Sequence, residues 1–302
     1  MRLYVYIVLL VLVGPSAAWS QVERYFESNR VRIRYIEQGN GELVILVHGQ
    51  GGSADGNEWG RSGVMAELAR SYRVVAIDMR GHGKSDKPRD PKQYGREMAL
   101  DVIRLMDHLG VKRAHVVGYS LGAVAVSHVF PQFPERFATV TLAGAAAPVT
   151  YSPEAIRLAD EEAAERERDG ISRTALERTR PTDAPPLSDD EFRRRSAAAL
   201  ADPTLDRFAL AAQIRARREL VLDATKVAAL PIPVLGIVGG ADPLGKRLLE
   251  DFVRIKPTTK LVVIEGATHG VSAGPAGAAA FNQPQFIRAL RDFLSMNAQR
   301  AH

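Results

Sequence analysis

Short apolar runs bounded by turn residues recur along this chain, and between them apolar residues return every three or four positions. The first spacing belongs to buried strands and the second to helices with one face on a core. From Arg24 to Glu37 apolar and polar residues alternate, most clearly over Val31-Arg32-Ile33-Arg34-Tyr35-Ile36. Such alternation predicts an antiparallel strand with one wet face, placed second in a hairpin. Asn40-Gly41 then marks a turn before the continuous apolar run Leu43–Val47. Helical spacing from Gly63 to Arg70 leads to a second buried strand, Tyr72–Ile77. Met98, Val102, Leu105, Met106 and Leu109 place a helix over Tyr94–Leu109, stopped by Gly110. A strand at Arg113–Val117 and a helix of small apolar residues from Ala123 to Phe130 follow, then a strand at Ala138–Leu142.

The pattern changes at about residue 150. As far as residue 228 the chain is rich in Arg, Glu, Asp and Ala and almost free of strand-like runs, with a proline-containing break at Arg180 to Pro186. Helices are predicted on both sides of that break. Acids and bases nearly balance there, which predicts a solvated helical surface. Strand and helix alternation resumes with strands at Val234–Val238 and Leu261–Ile264, a helix from Lys246 to Ile255 and a last helix over 285–297. Phe286, Ile287, Leu290, Phe293 and Leu294 face inward on that last helix. Strands that alternate with helices imply an α/β fold: a doubly wound, mostly parallel sheet covered on both faces, with its site at the carboxyl ends of the strands.

Composition narrows the chemistry. The 302 residues suffice for one α/β core with an insertion. A formal net charge of +5, with both signs interspersed, gives no nucleic-acid signature. The absence of cysteine excludes disulfides, thiolate catalysis and Cys-based metal sites. Residues 1–20 stand apart from the rest. A basic start at Arg2, an apolar run from Leu3 to Val13, the break Gly14-Pro15 and the small residues around Ser16–Ser20 have the three-part form of an export signal. The run falls short of the roughly 20 residues of a comfortable bilayer span. A periplasmic or secreted protein is therefore expected, and an uncleaved membrane anchor at residues 3–13 is the rival reading.

Gly118-Tyr119-Ser120-Leu121-Gly122 has the form G-x-S-x-G and lies between a predicted strand and a predicted helix, the context of a nucleophile elbow. A serine hydroxyl needs a base, which is usually a histidine held by a carboxylate. Of the seven histidines, His108 and His128 lie in helices, His115 opens a strand, His302 is terminal, and His48 and His82 belong to other motifs. His269, in the loop Glu265–Gly270 after a late strand, is the candidate base. Asp242, after the strand at Val234–Val238, is the candidate acid, with a helix N-cap as its bland alternative. The end of the preceding core strand, Ala143–Pro148, offers no acid. Oxyanion donors are expected at the backbone N–H of Leu121 and in the loop His48-Gly49-Gln50-Gly51-Gly52, where Gln50 is preferred over Gly51. Tyr119 and Phe208 are the candidate substrate contacts. His48 is expected to bond neighbouring backbone, and Asp78 to Ser85 to shape a tight turn beside the site.

The His-Gly loop, Asp78-Met79-Arg80-Gly81-His82-Gly83-Lys84-Ser85, Gly118–Gly122, Gly239-Gly240-Ala241-Asp242 and Thr268-His269-Gly270, in this order, resemble the α/β-hydrolase fold superfamily. The resemblance covers roughly 22–150 and 230–298. It implies a core of 21–149 and 229–302, a helical cap at 150–228, and a triad in the family's order Ser120, Asp242, His269. One departure is the long Gly/Ala-rich loop Val271–Ala280 after the histidine. The expected activity is serine-dependent hydrolysis of a small ester, thioester or lactone, with no cofactor and no metal. Carbon–carbon bond hydrolysis or perhydrolysis on the same triad, and ligand binding without turnover, stay open. Epoxide hydrolases and dehalogenases are set aside, because they carry Asp where this chain has Ser120.

Overall fold

The computed structural model describes residues 20–181, 184–270 and 277–298. Of residues 1–20, expected to form an export signal, only Ser20 falls among them. Strands β1 (Val22–Ser28) and β2 (Val31–Gln38) form the hairpin that the alternation predicts. Asn29 and Arg30 turn it with φ of 48° and 64°, the positive angles that match a two-residue turn to the twist of its strands. After β3 (Leu43–Val47), a π-helical turn at Asn57–Arg61 and the short helix α1 (Val64–Leu68) lead to β4 (Arg73–Ile77). Next come α2 (Arg96–His108), β5 (Ala114–Tyr119), α3 (Leu121–Val129) and β6 (Phe137–Ala143). The sheet is completed by β7 (Val234–Gly239) and β8 (Lys260–Ile264), with α9 (Pro243–Ile255) between them and α10 (Pro284–Asn297) after them.

The eight strands run in the order β1-β2-β4-β3-β5-β6-β7-β8. The β1–β2 and β2–β4 pairs are antiparallel and all others parallel. The apolar run of β3 is continuous because both of its faces are covered. Leu43, Ile45 and Val47 pack into the core formed with α2, α3 and α9, whereas Val44 and Leu46 pack with α1 and α10. Each such side chain contributes about 1.5–3 kcal/mol when fully buried. A charge introduced at Leu46, which has no solvent exposure, would find neither water nor a partner and would break the centre of the sheet.

Between β6 and β7 lies the helical segment: α4 (Pro153–Asp169), α5 (Arg173–Arg178), α6 (Asp189–Ala201), α7 (Arg207–Ala216) and α8 (Ala224–Ala229). Its helix starts are written locally. The Ser152, Ser172 and Ser188 hydroxyls each accept the N–H three residues on, and Asp206 accepts from Phe208 and Ala209. Caps of this kind contribute about 1 kcal/mol each. The Leu222 N–H donates to the Pro148 carbonyl at 2.8 Å and closes the base of the insertion. Helix α7 joins it to the core, with Ala209, Ala212 and Ala216 in the main cluster and Ala211 and Ile214 against Ala163 of α4.

Candidate active site

Ser120 stands at the turn from β5 into α3 with φ 50° and ψ −114°, a conformation that L-residues rarely adopt and that costs on the order of 1–3 kcal/mol. The surroundings hold it there. The Ser120 N–H donates to the Ala143 carbonyl of β6 at 2.8 Å, and the Ser120 carbonyl accepts from Val124 in the first full turn of α3. Gly122 lets α3 start against the end of β3, since a Cβ there would collide with the Val47 carbonyl. Among the described residues the Leu121 and Gln50 backbone N–H groups have no acceptor within the protein, the condition that an oxyanion donor must meet.

His269 follows β8 and Asp242 follows β7, and parallel pairing of these strands brings their ends together. His269 Nε2 lies 2.8 Å from Ser120 Oγ, and His269 Nδ1 lies 2.5 Å from Asp242 Oδ2. Asp242 is fully buried, and its other oxygen, Oδ1, accepts the Gly245 N–H at 2.9 Å at the start of α9. The two readings of this aspartate therefore hold together: one oxygen faces the histidine and the other caps a helix. Gly245 makes this possible, because any Cβ there would strike the carboxylate. The described part of the histidine loop is tied by Thr268 N–H to the Ala278 carbonyl, and by Ala280 N–H to the Thr268 carbonyl. Residues 271–276 of the departing loop lie outside the described residues.

Tyr119 requires a correction. Its ring is 2% exposed and packs among Trp59, Phe281 and Phe286 beneath the site. Its hydroxyl donates to the His269 carbonyl at 2.5 Å. Burial, then the nearby Asp242 and Glu58 carboxylates, push the phenol well above its ordinary range, so it remains a donor. Alternation along β5 sends residue 119 under the sheet, and Tyr119 supports the histidine loop instead of lining an open pocket.

The loops around Ser120 are braced from below. The Met79 N–H donates to His48 Nε2 at 3.1 Å, and His48 Nδ1 lies 2.6 Å from the Gly49 carbonyl, which fixes the tautomer with the proton on Nδ1. His48 thus bonds neighbouring backbone, as expected. Buried Asp78 accepts from Ala54 N–H and Lys84 N–H and pairs with Arg34, joining its own turn to the Gln50 loop. Burial, then the adjacent His48, push the His82 imidazole down to about 3. His82 is accordingly neutral at physiological pH.

The insertion corrects two expectations. Phe208 is 38% exposed, and the Arg89 and Arg207 guanidiniums lie 5.0 and 4.8 Å from its ring centroid. Leu200 also faces outward at 49%, whereas Leu210 and Ile214 are buried. The position of Phe208 in the first turn of α7 exposes its ring, and arginine stems cover apolar surface well. The charges of the insertion are not all solvated either. Glu162 is fully buried, with Oε2 2.9 Å from Arg217 and 3.0 Å from Arg178. Balanced acids and bases along the chain gave no signal of this cluster, because it joins α4, α5 and the turn after α7.

A family model described as the alpha/beta hydrolase fold matches residues 42–193, half of the chain. The chain belongs to this family. A carboxylesterase of the thaumarchaeon Nitrososphaera gargenis superposes on this α/β hydrolase with a TM-score of 0.71 at 20% identity, over 93% of this chain and all of that one. A 2-hydroxy-6-oxo-6-phenylhexa-2,4-dienoate hydrolase of Comamonas testosteroni is 39% identical over 114 residues, which are 37% of this chain and 39% of that protein. The dihydrolipoyllysine-residue acetyltransferase component of the acetoin cleaving system of Cupriavidus necator is 37% identical over 120 residues, 39% of this chain. The match spans 31% of the acetyltransferase component, so this chain aligns with well under half of either curated relative.

Proposed function

We propose that this α/β hydrolase cleaves a small carboxylic ester, thioester or lactone through an acyl-enzyme on Ser120. The observation that carries this reading is the continuous chain of hydrogen-bonding distances, 2.8 Å from Ser120 Oγ to His269 and 2.5 Å from His269 to Asp242. His269 Nε2 takes the serine proton as Oγ attacks the carbonyl carbon. The buried Asp242 carboxylate stabilises the imidazolium and keeps the Nδ1 proton in place. The free N–H groups of Leu121 and Gln50 receive the oxyanion. His269 then protonates the leaving group, and water, activated by the same imidazole, releases the acid.

A fluorophosphonate probe tests the nucleophile. Labelling at Ser120, with turnover in a panel of esters, thioesters and lactones, supports the reading; ligand binding with neither labelling nor turnover assigns a receptor. Similarity to the Comamonas dienoate hydrolase favours a second reading, hydrolysis of a carbon–carbon bond next to a ketone on the same triad. A vinylogous diketone acid added to the panel separates the two. We also propose export with removal of residues 1–20. Mass spectrometry of protein made with its full leader should show a new N-terminus near Trp19 or Gln21, and an intact Met1 in the membrane fraction would assign an anchor instead.

A further inference from the structure

The π-helical turn at Asn57–Arg61 presents a carboxylate to the nucleophile that the triad does not use. Trp59 in this turn is fully buried, with its ring edge-on to Tyr119 at 6.3 Å, so Glu58 projects from pinned backbone. The glycines of the facing loop measure where its carboxylate lies. A Cβ on Gly49 would stand 3.1 Å from Ser120 Cβ and 3.2 Å from Glu58 Oε1. A Cβ on Gly52 would stand 3.1 Å from the same oxygen and 3.0 Å from His48 Nδ1. The Glu58 carboxylate and the Ser120 Cβ therefore both border the same position above Gly49, 3.2 and 3.1 Å from it.

Among the described residues the Glu58 side chain has no hydrogen bond and no ion pair. Its acidic neighbours are all engaged: Asp55 with Arg34 and Ser53, Asp78 with Arg34 and two backbone N–H groups. On the same loop, the Gln50 side-chain nitrogen is buried without an acceptor. A partly buried, unpaired carboxylate is costly, and the cost rises when substrate displaces its water. A fixed negative charge beside the carbon under attack also opposes the oxyanion. A cation seated on Glu58 removes both penalties, whereas an anionic substrate adds a third.

We infer that Glu58 is a specificity-determining residue that selects substrates carrying a cationic group near the scissile carbonyl and rejects anionic ones. The inference rests on the hydrolase reading and adds the charge of the substrate to it.

The test compares isosteric pairs on the full chain. One pair is acetylcholine and its carbon isostere, in which tert-butyl replaces trimethylammonium. The other is a nitrophenyl ester whose acyl chain ends in trimethylammonium, with its tert-butyl-ended isostere. The wild-type protein should prefer the cationic member of at least one pair. Glu58→Gln should lower that ratio of kcat/KM by about tenfold, the value of one hydrogen bond or contact to a charged group. Glu58→Lys should invert the preference and favour a carboxylate-ended acyl chain. Equal ratios in wild type and Glu58→Gln for both pairs would overturn the role of Glu58, while turnover of the neutral members leaves the hydrolase reading standing. Absence of turnover and of fluorophosphonate labelling in the wild type would overturn both.

Discussion

The sheet and the helical segment inserted between β6 and β7 draw on charge to very different degrees. In the sheet, β3, β5 and β6 are buried on both faces, and side chains from flanking helices fill the space between layers. Among the described residues, the insertion's separate apolar cluster is Ala163, Ala211 and Ile214, with Ala159 packed against it. Beyond it, α7 and the segment after it bury Ala209, Ala212, Ala216, Leu222 and Val227 in the main core, and ion pairs tie the outer helices together: Glu162 with Arg178 and Arg217, Glu167 with Arg215, Asp160 with Arg218, Glu177 with Arg180. Apolar burial is non-directional and tolerant of pH. An ion cluster depends on each partner and on its protonation, and removing one member leaves the others uncompensated. Ser120, Asp242 and His269 stand on the first kind of scaffold, after the ends of β5, β7 and β8. The contrast teaches that acid, or the loss of one charge, should reach the insertion before it reaches the packing around Ser120.

The largest effects should come from the sheet. Ser120→Ala should abolish turnover and fluorophosphonate labelling with little change in melting temperature, since alanine fills the same turn. Retention of a large fraction of kcat would remove the covalent mechanism. Asp242→Asn should lower kcat by about 10⁴, the effect of the same change in a well-characterised triad. Because an asparagine oxygen can still accept the Gly245 N–H, stability should barely move. An intact kcat together with an unchanged melting temperature would leave only the helix cap, a role that asparagine fills equally well.

The insertion should respond in stability first. Glu162→Gln leaves Arg217 and Arg178 without their anion and should destabilise this segment by about 3–5 kcal/mol, seen as faster proteolysis within 153–229. Acid should do the same reversibly. Burial alone would raise the Glu162 carboxyl, but Arg217 and Arg178 overcome this and hold it at about 2, against an ordinary 4.5. A depressed folded pKa contributes stability that is complete above the unfolded value and is lost as pH falls through the folded one. The contribution, ~3 kcal/mol, should therefore disappear between about pH 4.5 and 2. Proteolysis that strikes core and insertion together across this window would show that the two regions do not differ in this way.

The smallest effect belongs to Phe208→Ala. An exposed ring under two guanidiniums contributes about 0.5–1 kcal/mol per contact, and the acyl-length profile should stay as it is. A change of about 1–3 kcal/mol in discrimination between acyl chains would instead return Phe208 to the substrate.

Features set by spacing along the chain were legible before any coordinates. Alternation located β2, continuous apolar runs between turn residues located β3 to β8, and a spacing of three to four located the helices of the core, because burial follows each element's geometry and its covered faces. G-x-S-x-G located Ser120, since its turn is made by five consecutive residues. Elimination among seven histidines and the missing acid after β6 singled out His269 and Asp242. Contacts between distant segments carried no such mark. The double engagement of Asp242 needed Gly245 and His269 around one carboxylate. The direction of the Tyr119 ring followed from its face of the sheet, and the outward turn of Phe208 from its place at the start of α7. Glu162 could be seen as buried only once Arg178 and Arg217, 16 and 55 residues away in the chain, had closed around it. Local periodicity encodes which face of an element is apolar; which partner meets that face, and which charge is left without one, is decided only when the elements pack.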